Sequence, residues 1–326
     1  MIDIKLKNFT EPIKAELKKF EERFSAQMCS RVGLVELIVR YILKQKSKKI
    51  RPTLVLLSAK TLGEVNERTY RGAILVELLH TATLIHDDVV DNSDTRRGLP
   101  SINSIWKNKI AVLMGDYLLA RGLQIAVDND ELNFLKVITN TVRRMSEGEL
   151  LQIQKTRKLN NDEETYLKII SDKTASLIST CTTIGAMSIT SDASVLEDFR
   201  LFGEYLGIAF QIKDDILDFE GTSSIMGKPT GNDLREKKLT LPLIYALNQA
   251  ERYEVIGIKN KIRGKLSNKD VEFILQFVNQ YSGIEYANRK AREYADKALA
   301  ILEKYPNSDS KTALANLVEF ILERKN

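Results

Sequence analysis

Asp87, Asp88 and Asp91 stand in the stretch Leu84-Ile85-His86-Asp87-Asp88-Val89-Val90-Asp91, which closes a long apolar segment. Asp214, Asp215 and Asp218 repeat the same spacing within Phe210-Gln211-Ile212-Lys213-Asp214-Asp215-Ile216-Leu217-Asp218-Phe219. In a helix, the first and last acids of each triplet are one turn apart on one face. Two carboxylates about 6 Å apart repel by roughly 3 kcal/mol at an effective dielectric near 20. A fold that sets them beside an apolar wall therefore needs a compensating cation. Hard oxygen ligands on a helix suit Mg²⁺, which keeps several waters and completes its shell with substrate phosphate. One such cluster could be a solvated helix end. Two suggest the walls of one cleft, with metal ions and a diphosphate between them.

Basic residues cluster near these acids. Lys44-Gln45-Lys46-Ser47-Lys48-Lys49-Ile50-Arg51-Pro52 feeds a helix starting near Pro52. Cations beside a helix N-terminus form an anion site, because the free N–H groups and the dipole add to the charge. A solvated basic loop is the other reading. Arg96 and Arg97 follow the first acid triplet in a polar loop over 92–101, and arginine suits bidentate phosphate contact. His80 shares the stripe of Thr83, Asp87 and Asp91; neither it nor His86 has zinc-site spacing. Lys173 and Thr174 lie inside an apolar helix pattern, where burial would demand a partner such as a diphosphate oxygen or a reacting cation; a surface face is the other reading. The glycine-bearing stretch 221–233 carries Lys228 and reads as a lid over the acids. Lys237 and Lys238 come after it.

The elements that would position these groups read as helices. The periodicity predicts helices over 10–29 (Ile13, Leu17, Phe20 and Phe24, with Pro12 in the first turn), 33–43, 67–91, 110–127, a long one to about 155, 162–189, 195–219, 271–281 and 284–305. No strand-like alternation of useful length occurs. The 326 residues are 43% hydrophobic and 29% charged, enough to bury a core and remain in water. No run approaches the ~20 apolar residues of a membrane span. Without an apolar signal core at the start, the chain reads as cytoplasmic. A net charge of +5 is too mild to imply nucleic acid. Cys29 and Cys181 fit no metal or redox motif and read as two buried thiols. The expectation is a single all-α domain over residues 1–326.

With Lys48-Lys49-Ile50-Arg51-Pro52, His80 to Asp91, Arg96-Arg97-Gly98, Gly115-Asp116, Lys173-Thr174, Gln211 to Asp218 and Gly227-Lys228 to Lys238 in this order, the chain resembles the trans-isoprenyl diphosphate synthases. Within them it is most similar to bacterial medium- and long-chain polyprenyl (octaprenyl-like) diphosphate synthases. The resemblance implies the isoprenoid synthase fold, with helices around a deep central cavity, and a homodimer. It implies three Mg²⁺ ions bound with the allylic diphosphate. Asp87, Asp91 and Asp214 would be direct ligands; Asp88, Asp215 and Asp218 would support them. Lys48, Arg51, His80 and Arg97 match the family's isopentenyl diphosphate site, and Arg96, Lys173, Thr174, Gln211, Lys228 and Lys238 its allylic site. Lys46 and Ser47 stand where the family commonly has two glycines.

The implied reaction is head-to-tail prenyl transfer. The allylic C–O bond ionises, the isopentenyl double bond attacks the cation, and the departing diphosphate takes the proton. The Lys173 carbonyl, Thr174 and Gln211 would face the cation. Ala82 and Thr83, five and four residues before Asp87, are small; Ala82 lies about 7.5 Å along the helix from Asp87. A bulky aromatic there would stop the tail early, so a product longer than farnesyl is expected, such as a quinone side-chain precursor handed to a membrane enzyme. A geranylgeranyl diphosphate synthase and a class I terpene cyclase are the alternatives. The cyclase's second metal motif usually mixes Asn/Asp, Ser/Thr and Glu.

Overall fold

The computed structural model describes residues 9–45, 48–220 and 231–324. Lys46, Ser47 and Lys228 lie outside the described residues. The chain is helical almost throughout: a 3₁₀ turn Glu11–Ile13, then α1 Lys14–Met28, α2 Gly33–Lys44, α3 Ile50–Leu62, α4 Glu67–Val90, α5 Ile102–Asp128, α6 Leu132–Lys158, α7 Glu163–Ile170, a π turn Ser171–Ala175, α8 Ser176–Met187, α9 Ala193–Glu220, α10 Asn232–Arg235, α11 Leu241–Gln249, α12 Arg252–Arg263, α13 Asn268–Gln280, α14 Gly283–Glu303 and α15 Asp309–Glu323. Two-residue strands β1 (Thr95–Arg96) and β2 (Leu99–Pro100) pair antiparallel.

Two compact units emerge. The first comprises Met1–Asn140, Thr180–Phe199 and Asn307–Leu314; the second comprises Thr141–Ser179, Arg200–Pro306 and Ala315–Asn326. In the first unit α3 is buried continuously from Pro52 to Ala59, as befits a helix apolar on every side. Ile13, Phe20, Leu54, Leu56, Leu57, Leu78 and Phe134 fill that core. The central helix α4 starts with a reciprocal cap: Asn66 Oδ1 accepts from Thr69 N–H at 3.1 Å, and Thr69 Oγ1 accepts from Asn66 N–H at 3.2 Å. It ends at Val90, with Asp91 as its C-cap. The second unit has its own core, around Ile212, Ile216, Leu234, Leu241, Ile274 and Val278.

Several expectations change. Pro12 sits in the 3₁₀ turn, and α1 starts only at Lys14. Helix α5 begins at Ile102, eight residues early, with a break at Lys107 (φ 70°, ψ 161°). This helix is long and apolar enough to cross a membrane by length and composition, with an 18-residue window of mean hydropathy 1.5, contrary to the expectation that no run would qualify. The reason is that it is apolar on two faces: Ala111, Met114 and Leu118 are buried, while Ile105, Val112 and Leu113 are exposed. Cys181 is buried, but Cys29 is exposed because it caps the end of α1 outside the core. The region 162–189 is three segments rather than one helix, interrupted by the π turn. Part of the expected loop before Lys237 folds as α10.

Candidate active site

In the first unit, Lys49 adopts the left-handed conformation (φ 49°) and turns the chain into α3. This sends Arg51 inward at the first helical turn. Its guanidinium is buried, and its Nε has no hydrogen-bond partner among the described residues. Burial pushes the Arg51 pKa down, with Cys181 and Glu77 opposing and Arg97 reinforcing the effect. Glu77 on α4 is also buried, which pushes its pKa up; Arg51, Arg97 and Lys49 pull it back. His80, one turn further, is pushed down to about 2 by burial and then by Arg51, Arg97 and Arg96. Its imidazole is therefore neutral at any working pH. Arg51 and Arg97 are near enough for their charges to act on His80. Lys48, two residues before α3, is exposed.

The β1–β2 hairpin delivers the two arginines. Arg97 (φ 53°) and Gly98 (φ 77°) both take left-handed conformations, the requirement of a tight hairpin turn. For a non-glycine such as Arg97 this conformation costs on the order of 1 kcal/mol. Arg96 Nε donates to Asp88 Oδ1 at 2.9 Å, and its Nη2 donates to the same oxygen. Asp88 is thus buried and spoken for, and its backbone carbonyl accepts from Asn103 Nδ2 at 3.3 Å. Asp87 and Asp91 are exposed on the last turn. A pocket of about 240 Å³ is lined by Lys49, Glu77, Thr81, Asp88, Arg96 and Arg97, among others. Ala82 is fully buried, and Thr83 donates its hydroxyl to the His80 carbonyl at 2.9 Å.

The second unit holds the other group. The π turn presents Lys173 and Thr174 beside α9. Thr174 Oγ1 donates to Gln211 Oε1 at 2.9 Å, and Gln211 Nε2 donates to Asp215 Oδ1 at 2.8 Å. Tyr166 OH completes the chain by donating to Asp215 Oδ2 at 2.7 Å. Burial drives the Asp215 pKa up, with Asp233 adding to the effect; Tyr166 and Gln211 oppose it. Lys173 pairs with Glu149 at 2.5 Å, and Lys238 with Glu236 at 2.5 Å. Tyr166, Lys173, Thr174, Gln211, Asp215 and Lys238 line a pocket of about 100 Å³. Asp218 accepts the backbone N–H groups of Asn232 (3.1 Å) and Asp233 (3.0 Å), so it anchors α10. Asp214 is exposed and accepts from Arg324 Nη2 at 2.6 Å, while the Arg324 guanidinium stacks 4.9 Å from the Phe210 ring.

Among the described residues no three His, Cys, Asp or Glu side chains converge as a ready metal site. Within each unit the chemistry of the exposed carboxylates suits Mg²⁺: Asp87 and Asp91 in the first and Asp214 in the second are hard oxygen donors, and an ion that keeps its waters and takes the rest of its shell from substrate phosphate needs few protein ligands.

Sequence reasoning missed Glu77, Tyr166, Asp233 and Arg324. Glu77 did leave a signal, as a lone acid in the run Leu75-Val76-Glu77-Leu78-Leu79. The others left none, because their partners are distant in sequence.

The chain is built almost wholly of helices, with acids and basic side chains gathered in each unit's pocket. The polyprenyl synthetase family model matches residues 32–278. The all-trans-nonaprenyl-diphosphate synthase (geranyl-diphosphate specific) of Rhodobacter capsulatus is 36% identical over 326 residues, covering 99% of each chain. A decaprenyl diphosphate synthase from Rhodobacter capsulatus superposes with TM-score 0.92 at 32% identity, over 98% of this chain and 99% of that one. A polyprenyl synthase from Caulobacter crescentus, solved with calcium and isoprenyl diphosphate, gives TM-score 0.89 at 32% identity over 98% of both. The chain belongs to the polyprenyl synthetase family; it is a prenyltransferase with the all-α isoprenoid synthase fold.

Proposed function

We propose that this enzyme adds isopentenyl diphosphate head-to-tail, in trans, to an allylic diphosphate and makes a polyprenyl diphosphate longer than farnesyl. The observation that carries the reading is the hydrogen-bonded line Thr174–Gln211–Asp215–Tyr166 beside Lys173 and Lys238 in one pocket. Polar groups fixed by one another, with two lysines lining the same pocket, support a place where an anion leaves and a carbocation forms. The long-chain names of the similar proteins support the product class.

Asp87, Asp91 and Asp214 would hold Mg²⁺, three ions in all, with the allylic diphosphate. When bound, Mg²⁺ supplies Lewis-acid neutralisation of the leaving diphosphate. Lys173 and Lys238, with Lys228, bind its oxygens as the allylic C–O bond breaks. Arg96 acts through Asp88, whose carboxylate it fixes. Thr174 and Gln211 face the allylic cation with oxygen dipoles. Arg51, Arg97 and Lys48 bind the isopentenyl diphosphate and orient its double bond for attack. Neutral His80 adds a hydrogen bond without competing for the anion. A new C–C bond forms, and the proton lost goes to the departed diphosphate. Ala82 and Thr83 leave room for the growing tail, so Ala82→Phe should shorten the main product.

We read residues 1–326 as one functional domain acting in the cytoplasm, where the charged substrates dissolve, with the apolar-tailed product passed to a membrane enzyme such as one of quinone synthesis. We also read it as a homodimer, since Leu34, Leu37, Val112 and Leu113 are exposed apolar side chains. The test is incorporation of labelled isopentenyl diphosphate with farnesyl diphosphate and Mg²⁺. The reading expects incorporation that chelation abolishes. Consumption of the allylic diphosphate without isopentenyl diphosphate would contradict it.

A further inference from the structure

We propose that Arg144 is a positioning residue that grips the π turn from behind and so sets where Lys173 and Thr174 stand. The proposal rests on the functional reading above. Arg144 is not among the residues that line the pocket of Lys173 and Thr174; it lies on α6 and acts through the two residues that precede Lys173. Its Nε donates to Asp172 Oδ1 at 2.8 Å, its Nη2 to Ser171 Oγ at 2.9 Å, and its Nη2 and Nη1 to the two Glu204 oxygens at 2.8 and 3.2 Å. Ser171 Oγ also donates to Glu204, and Lys168 Nζ donates to Asp172 Oδ2 at 2.8 Å. Asp172 is 6% and Glu204 8% exposed, so this guanidinium balances two buried carboxylates from different helices.

The backbone is held as tightly as the side chains. The turn closes by an i→i+5 bond from Ser176 N–H to the Ser171 carbonyl, a geometry that is rare and recurs at functional sites. Two glycines let it press against bare backbone. A Cβ on Gly148 of α6 would lie 3.1 Å from Lys173 N, and one on Gly207 of α9 would lie 2.5 Å from Ala175 Cα. Arg144, Gly148 and Glu149 thus form one grip on α6: the first holds Asp172, the second admits the turn, and the third pairs with Lys173. On the far side, Thr174 meets Gln211 on α9. A network that fixes the turn on one side while its side chains work on the other is how a reacting geometry is held to a fraction of an ångström.

The test compares steady-state kinetics of wild type, Arg144→Gln and Arg144→Lys on isopentenyl and farnesyl diphosphates with Mg²⁺. Misplacement by about 1 Å can cost roughly 10²-fold in rate. Arg144→Gln is therefore expected to lower kcat by about that factor while the KM for isopentenyl diphosphate stays within about two-fold, because Arg51, Arg97 and His80 are untouched. Arg144→Lys keeps the charge but not the fork and should recover part of the loss. If Arg144→Gln fails to fold because two buried acids have lost their shared guanidinium, Arg144→Gln/Glu204→Gln removes one of those charges and leaves Asp172 its Lys168 partner, and the same kinetic split is expected. Wild-type kcat in a folded variant would overturn the proposal. So would equal losses in kcat and in isopentenyl affinity, the mark of a general loss of structure. A wild type that elongates nothing would overturn the functional reading, and this role with it.

Discussion

The charge cluster around Arg51 in the first unit and the acids around Asp215 and Asp172 in the second are built in opposite ways. In the first cluster, Arg51 and Arg97 act on the buried Glu77 and on His80, and Arg51 Nε lacks a hydrogen-bond partner among the described residues. In the second, acids predominate, and each is bound into a line of donors: Asp215 by Tyr166 and Gln211, Asp218 by the α10 backbone, Asp172 and Glu204 by Arg144. In the first cluster two arginines act on one buried acid, an arrangement that favours an anion. The second is already built and needs only cations and a substrate. A buried charge left incomplete is destabilising, so a fold keeps one where a ligand gains from it. A finished polar network is rigid, which suits dipoles that must not relax during a reaction.

The contrast predicts different failures. The largest effect should follow loss of the exposed acids. Asp87→Asn with Asp91→Asn should cut turnover by at least about 10³-fold, as expected when charge stabilisation of several kcal/mol is removed, with melting temperature little changed because both side chains are exposed. Next, Arg51→Met should raise the isopentenyl KM by about 10- to 100-fold, the loss of one or two charge-assisted bonds. It should not destabilise the apo protein, since it removes a desolvated cation; a large drop in melting temperature would show that Arg51 is instead held by partners that stabilise the fold. Tyr166→Phe makes the opposite test. It strips a donor from a buried carboxylate and should cost about 1–3 kcal/mol of stability by denaturant titration.

The smallest effects are in pH dependence, and their signs differ between the units. Burial raises the Glu77 pKa, so stability held below the ordinary carboxylate pKa is lost as pH rises through the folded value. Glu77→Gln should remove that loss at higher pH and change nothing in acid. For Asp172, burial opposes the charge, but hydrogen bonds from Lys168 and Arg144 outweigh it and lower the pKa. Its contribution is therefore present above the ordinary carboxylate pKa and lost as pH falls through the folded value. Asp172→Asn should be the less stable protein near neutrality, with the gap closing in acid. Urea midpoints across pH measure both.

Helix positions were largely legible, because α2, α4, α9 and α14 carry apolar periodicity within a few residues of their observed ends. The acid and basic clusters were legible too, since each is contiguous in sequence. What escaped depends on contacts between distant segments. The π turn at Ser171–Ala175 reads as ordinary helix, because what surrounds it is Gly148, Gly207 and Arg144, each more than twenty residues from its partner in the turn. The β1–β2 hairpin is too short for alternation, and only Arg97-Gly98 marked the turn. The sequence suggests Arg96 as a phosphate ligand but does not show that it also bonds to Asp88, eight residues earlier. Nor does the acid spacing show that Asp218 accepts the backbone N–H groups of Asn232 and Asp233 at the start of α10.

The most direct measurement is the length of the product. Purified enzyme with Mg²⁺, farnesyl diphosphate and excess isopentenyl diphosphate should yield a ladder of prenyl diphosphates ending well beyond farnesyl. A product halting one unit beyond the primer would make it a geranylgeranyl synthase, and cyclised hydrocarbon with isopentenyl diphosphate untouched would contradict elongation altogether.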